Sequence, residues 1–264
     1  MISSGIESAK STRIAMAAAS ATAALAFGLV SCSSPSSDSS ALSTDPPAAT
    51  ATQNELELSL EQQQTLDEFF VALSAGTSTN VATALKHTAT NSPARLFALH
   101  QTSLVQADPE STTTASVSKG SVSWSNYFNN ESTTDSFTDF EFADSQHITT
   151  WKINGQPLSK LIKRLTQSKK TNSVTVKLST AYRPTPNQLQ VSYRLSSSSS
   201  DQKYIDVEGF RSKGRMVNTV TVPYDLTLGK SQRRSAISQA PIPSFNAQLI
   251  FEIDSDNQLI IPVK

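Results

Sequence analysis

Apolar residues change their spacing along the chain, and each change marks a different kind of segment. From Ile14 to Val30 no charge interrupts an alanine-rich run that carries Leu25, Phe27 and Leu29. From Ser33 to about Asn54 the periodicity vanishes into Ser, Thr, Pro and Ala, including Pro46-Pro47. Leu66, Phe69, Phe70 and Leu73 then recur at i, i+3, i+4 and i+7, which predicts one apolar helix face. Ser59 and Gln62 stand at capping-box spacing before it, and Gly76 is placed to stop it. Asn80 is the expected cap of a second helix with Val81, Ala84 and Leu85 inward. Ser92-Pro93 reads as N-cap and first turn of a third, carrying Leu96, Phe97, Leu99 and Leu104 and closed by Asp108-Pro109.

Alternation replaces the helical period after that point. Val117, Val122, Trp124 and Phe128 are the inward candidates of one alternating stretch, and Phe137, Phe140 and Phe142 recur in the next, with a turn expected at Ala143-Asp144-Ser145. Ile148, Trp151 and Ile153 continue it up to the turn dipeptide Asn154-Gly155. Leu158, Leu161, Ile162 and Leu165 return to helical spacing beside Lys160, Lys163 and Arg164, which predicts a connector helix docking on its neighbour, with a basic helix lying on anionic lipid or polymer as the alternative. Short alternating runs follow Thr171: SVTVKLSTAYR, QLQVSYRLS, KYIDVEGFR, RMVNTVTV, YDLTLG, FNAQLIFEID and QLIIPVK. The expected fold class is therefore α+β, with N-terminal helices on a curved antiparallel sheet followed by an all-β sandwich. The boundaries predicted are 1–31 for a leader, 32–54 for a tether, 55–168 for the helix-sheet domain and 169–264 for the sandwich. The tether composition buries too little apolar surface to offset the entropy of ordering, so it is expected to be disordered.

Charge and cysteine content narrow the function. Lys plus Arg and Asp plus Glu number 22 each, so a nucleic-acid-binding role lacks its usual basic excess. With one cysteine there is no intramolecular disulfide, no CxxC pair and no thiolate metal cluster. That cysteine, Cys32, follows Leu29-Val30-Ser31 at the end of the leader's apolar run, behind Lys10 and Arg13. The leader has the layout of a secretory signal, and its apolar run lies at the short limit for a spanning helix. Leu29-Val30-Ser31-Cys32 resembles the lipobox of bacterial lipoproteins. The resemblance implies cleavage between Ser31 and Cys32, an S-diacylglycerol and an N-acyl group on Cys32, and residence on the outer face of the cell membrane. Two or more acyl chains make such an anchor stable, at roughly 0.8 kcal/mol per buried methylene.

Two further likenesses concern the folded part. The element order from Leu56 to Leu158, ending in ITTWKINGQPL, resembles the nuclear-transport-factor-two-like cone. The strand-rich half is similar to immunoglobulin-like modules of Gram-positive extracytoplasmic lipoproteins, without a Cys–Trp–Cys core signature.

No catalytic motif emerges. His87, His100 and His147 lack the spacing of an HExxH metal site, and no GxSxG elbow, SxxK set, GxGxxG or Walker loop occurs. The pairs Asp139/Glu141 and Asp206/Glu208 share strand faces, and DSDNQ from Asp254 lacks the glycine and closing glutamate of a calcium loop. We expect no catalytic residue, no metal and no cofactor. Trp124, Phe128, Phe140, Phe142 and Trp151 are the candidate lining of a pocket in the first sheet. The function expected is a lipid-anchored, non-enzymatic module that binds an envelope protein or cell-wall polymer. Small-ligand capture in the aromatic pocket, for transport or sensing, is the alternative, and a cell-wall-acting enzyme the third reading.

Overall fold

The computed structural model describes Leu58–Lys264 apart from residues 110, 129, 130, 172, 255 and 256. The leader, the Leu29–Cys32 motif and the tether expected at 32–54 lie outside the described residues.

Three helices come first, and their caps explain their starts. Ser59 precedes α1 (Leu60–Ser74), accepting the Gln62 N–H at 3.2 Å while Gln62 Oε1 accepts the Ser59 N–H at 3.0 Å. Both halves of the capping box are thus formed. α2 (Ser78–Lys86) is capped by Thr77 rather than Asn80, which lies inside its first turn and donates its N–H to Thr77 Oγ1. The threonine hydroxyl reaches the same orphan amide that an asparagine one turn earlier would have served. α3 (Pro93–Ala107) opens on Ser92 with Pro93 in its first turn, as its sequence predicts. No helix of the described residues is long and apolar enough to cross a membrane.

These helices cover an antiparallel meander of five strands: β1 (Thr112–Ser118), β2 (Ser121–Phe128), β3 (Glu131–Asp144), β4 (His147–Ile153) and β5 (Gln156–Pro157). Lys119-Gly120 and Asn154-Gly155 join hairpins with both turn residues at positive φ, the geometry that matches strand twist. The expected strand through SVSKGSVSWSNYF is therefore a hairpin folded at Lys119-Gly120. The β3–β4 turn falls at Ser145-Gln146, just beyond the position expected.

The connector predicted over Leu158–Leu165 is one helical turn, α4 (Leu158–Leu161), followed directly by β6 (Ile162–Arg164). Its four apolar residues are buried nonetheless. The edge of a later strand, β8 (Val174–Tyr182), offers hydrogen bonds at Thr180–Tyr182, and pairing with it wins over the helical period. β7 (Ser168–Thr171) pairs β8 farther along.

Strand pairing then builds two further antiparallel sheets. β12 (Val220–Val222), β13 (Arg233–Ala240), β9 (Leu189–Ser197), β8 (Val174–Tyr182) and β6 run in that order in one. β11 (Arg215–Val217), β10 (Ile205–Ser212), β14 (Ala247–Ile253) and β15 (Asn257–Val263) form the other. YDLTLG supplies only an isolated bridge, Lys203 to Leu228, whereas β13, which the alternation does not reveal, pairs β9 over its whole length. Val176, Leu178, Val191, Tyr193 and Leu195 from one sheet share a core with Phe210, Leu249, Phe251 and Ile261 from the other. The protein is thus a mixed helix-and-sheet structure with antiparallel sheets.

Candidate functional site

The aromatic residues proposed to line a pocket do something else. Trp124 and Trp151 are fully buried, Phe140 is nearly so, and Phe142 packs at the edge of the same cluster; the Phe128 side chain lies outside the described residues. Phe70 meets Trp124, Phe140 and Trp151 edge-on at 5.6–5.8 Å between ring centres, and Phe137 stacks against both indoles. Helices α1 and α3 deliver Phe69, Phe70 and Phe97 into the space a ligand would need, so the rings form a packed core rather than a wall. Among the described residues, the indole N–H groups of both tryptophans are buried without a hydrogen-bond partner.

Two of the three histidines meet at an open groove instead. The end of α2, the α2–α3 loop and the β3–β4 turn enclose about 630 Å³ lined by Lys86, Thr88, Thr90, Arg95, Asp144 and His147. An adjoining hollow of about 310 Å³ shares Lys86 and His147 and adds Glu61, Gln64, Glu68 and His87. The loop is fixed because the Ala89 N–H donates to Ile148 O and the Ile148 N–H to His87 O, at 3.0 and 2.9 Å. Thr65 Oγ1 donates to Ser145 O at 3.0 Å, tying the turn to α1. Inside the groove the ionisable side chains other than Lys86 have partners. His147 Nδ1 lies 2.8 Å from Asp144 Oδ1, and His87 Nε2 lies 3.4 Å from Glu68 Oε2. Gln146 Nε2 donates to Glu61 Oε1 at 3.1 Å, and Arg95 donates to Leu85 O at 2.9 Å. The Gln146 backbone N–H, then the His147 ring, hold the Asp144 carboxyl below its ordinary range. The groove is open and lined by these hydrogen-bonded polar groups.

His100 takes a different course. It is fully buried on α3 where that helix crosses the outer face of β8, β9 and β13. Its Nε2 lies 3.0 Å from Gln190 Oε1, which can only accept, so the ring proton sits on Nε2. Nδ1 then accepts from Thr180 Oγ1 at 2.8 Å, and Thr180 accepts in turn from Ser192 Oγ at 2.6 Å. Gln190 Nε2 donates onward to Gln239 Oε1 at 2.6 Å. A serine, a relaying threonine and an imidazole make a line that invites comparison with a nucleophile and its base. Burial, opposed only by the Gln190 hydrogen bond, pushes the imidazole down to about 4, too low for a base near neutrality. Ser192 and His100 are both sealed from solvent, so the line works as a polar clamp between helix and sheet.

Elsewhere, burial raises Asp135, with the Asn154 side-chain amide at 2.8 Å acting in the opposite direction. Burial also raises the Tyr182 and Tyr193 hydroxyls. Asp206 and Glu252 are directly opposed on β10 and β14, and Lys203 Nζ binds Asp254 Oδ2 at 2.7 Å. The lysine contact gives Asp254 a structural partner in the stretch considered as a calcium loop; Asp256 lies outside the described residues. Sequence reasoning missed the groove and the His100 clamp. Comparison of the chain with protein families, curated proteins and solved structures finds no match.

Proposed function

We propose that this protein is a lipoprotein held by acylated Cys32 on the outer face of the cell membrane. Its folded part is a non-enzymatic module that engages an envelope component. The observation that carries the reading is the sequence Leu29-Val30-Ser31-Cys32, with the chain's one cysteine behind a charge-free apolar run. Two finer assignments belong to the same proposal: a cone-like helix-sheet domain from 55 to 168 and an immunoglobulin-like sandwich from 169 to 264. The hydrogen-bonding groove at the β3–β4 turn supports recognition of a polar partner, since most of its polar groups are held by neighbours and it is open to solvent. The filled aromatic core favours this over small-ligand capture.

Mass spectrometry of protein from its native host tests the anchor. An N-terminus at Cys32 carrying acyl mass is expected, and Cys32→Ala is expected to release the protein from membranes or leave its precursor uncut. A bare thiol, or unchanged processing and membrane retention in the variant, overturns the reading.

A further inference from the structure

Between Asp144 and Asp201 the chain contains no Asp or Glu, while lysine and arginine recur throughout. Folding concentrates that bias. The strands of the sheet that includes β8, β9 and β13, together with β7, carry no acidic residue at all. The sheet packed against it carries Asp206, Glu208 and Glu252.

The register shows which cations share a face. Lys177 stands directly opposite Arg194, Arg194 opposite Ser235, Arg233 opposite Ser196 and Lys170 opposite Thr175. These residues alternate with Val176, Leu178, Tyr193 and Leu195, which fill the core, so they occupy the other side of the sheet. An irregularity between Leu178 and Thr180 keeps Thr180 and Tyr182 on that outer side too. There the outer face divides. α3 covers Thr180, Gln190, Ser192 and Ile237, whereas Lys170, Lys177, Arg194 and Arg233 are exposed. Those four side chains have no ion-pair or hydrogen-bond partner among the described residues. Like charges directly opposed across a strand pair destabilise a sheet. Lys177 against Arg194 is such a pair, and no ion pair or hydrogen bond among the described residues relieves it.

We infer that this uncovered half-face is a docking surface for an anionic phospholipid bilayer. The match is one of charge and shape: four unpaired cations, separated by Ser and Thr, on a broad sheet face without a carboxylate. Cations close to an anionic leaflet are attracted over about a Debye length. The inference rests on the anchor reading for its choice of a bilayer over other polyanions. From Cys32 to Asn54 the extended chain spans at most about 75 Å, so an anchored module stays within reach of the headgroups.

The test uses the full chain with Cys32→Ser, so that no acyl group contributes, and phosphatidylcholine vesicles with and without phosphatidylglycerol. Lys177→Glu combined with Arg194→Glu is compared with Lys213→Glu combined with Arg215→Glu, exposed cations at the β10–β11 turn. Thermal unfolding confirms that both variants are folded. The first pair is expected to lower binding to anionic vesicles about tenfold or more relative to the second, and to leave binding to neutral vesicles unchanged. Equal binding by the two variants overturns the inference. So does binding of soluble polyphosphate without vesicle binding, or a salt-sensitive self-association abolished by the same pair. The acylation of Cys32 in native protein is read separately. A bare Cys32 with variant-sensitive vesicle binding sinks the anchor and leaves the face; an acylated Cys32 with insensitive binding does the reverse.

Discussion

The two cores of this molecule are built from different materials. Under the helices lie Phe69, Phe70, Phe97, Trp124, Phe137 and Trp151, with alanines at Ala72, Ala84, Ala94 and Ala98 on the helix faces. Between the two later sheets lie Val, Leu and Ile, with Tyr193 and Phe251 as one edge-on ring pair. A cylinder on a sheet leaves uneven gaps, which large rings from both layers fill around the small alanine positions of the helices. Two sheets approach evenly, and branched side chains of similar size interdigitate. The seam joining the two regions is of a third kind. There α3 meets a strand face through His100 and four amide or hydroxyl side chains, flanked by Leu104, Ala107, Val222 and Ile237. Apolar packing sets the bulk of each region, and a polar clamp sets their register.

Removing a ring should break this arrangement hardest. Phe97 touches Trp124, Phe137, Trp151 and also Tyr182 of β8. Phe97→Ala is expected to cost about 3–5 kcal/mol in denaturant unfolding, because its rigid aromatic neighbours cannot collapse into the void. Since Tyr182 belongs to the later sheet, amide exchange in β8 and β9 should quicken along with that in α3. Exchange confined to the helical region would show that the seam does not couple the two.

Acid should open the seam next. The unfolded chain takes up a proton on His100 near its ordinary value of 6.5, whereas the folded chain resists until about 4. The unfolded state therefore binds more protons within this window, and stability falls as pH drops from about 6.5 to about 4. The loss is on the order of 3 kcal/mol, and the full contribution is present above 6.5. Urea unfolding of the wild type and His100→Gln across that window measures it. The variant is expected to lose this component, and an unchanged slope would remove His100 from the account.

How much of this could be read from the chain depends on how local each signal is. The Ser59–Gln62 box, Ser92-Pro93 and Asn154-Gly155 act within a few residues, and they appear in the structure where the sequence placed them. Leu158–Leu165 carried a genuine helical period, yet a distant strand edge claimed Ile162–Arg164. β13 escaped because Arg233–Ala240 holds Ile237 as its one bulky apolar residue among arginine, serine, alanine and glutamine. Gln190 and Ser192 are the polar positions of an alternating run. Only the crossing of α3 buries them, and no local pattern encodes that crossing. The acid-free stretch from Asp144 to Asp201 was legible in principle. Its meaning depended on the register that places Lys177 beside Arg194.

The aliphatic region has its own weak point, in backbone rather than in side chains. Gly209 sits at the irregularity in β10 with φ of 139°, and a Cβ there would stand 2.7 Å from Val217 O. Gly209→Ala is expected to destabilise by roughly 1–3 kcal/mol. The protection of β11 amides should fall first, because among the described residues β11 is an edge strand paired with β10 alone. Loss spread evenly into the aromatic core would mean that the two regions are more tightly coupled than their separate packing suggests.

The smallest effect probes the element that belongs to both regions. Ser92 Oγ accepts the Arg95 N–H at 3.1 Å, satisfying one of the free amides at the start of α3. Ser92→Ala removes that acceptor from a buried position while Pro93 still sets the first turn, so the cost should be about 1 kcal/mol. At its other end α3 is held by Gln106, whose Oε1 accepts from Ser235 Oγ at 2.9 Å, and by the packing of Leu104 and Ala107. Fraying at the N-terminal turn should therefore stop before His100. Amide exchange resolved by residue distinguishes the cases: faster exchange at Arg95 and Leu96 with His100 unchanged is expected. Equal acceleration along the whole helix would mean that the clamp yields as soon as the cap does, and that the polar seam contributes little rigidity of its own.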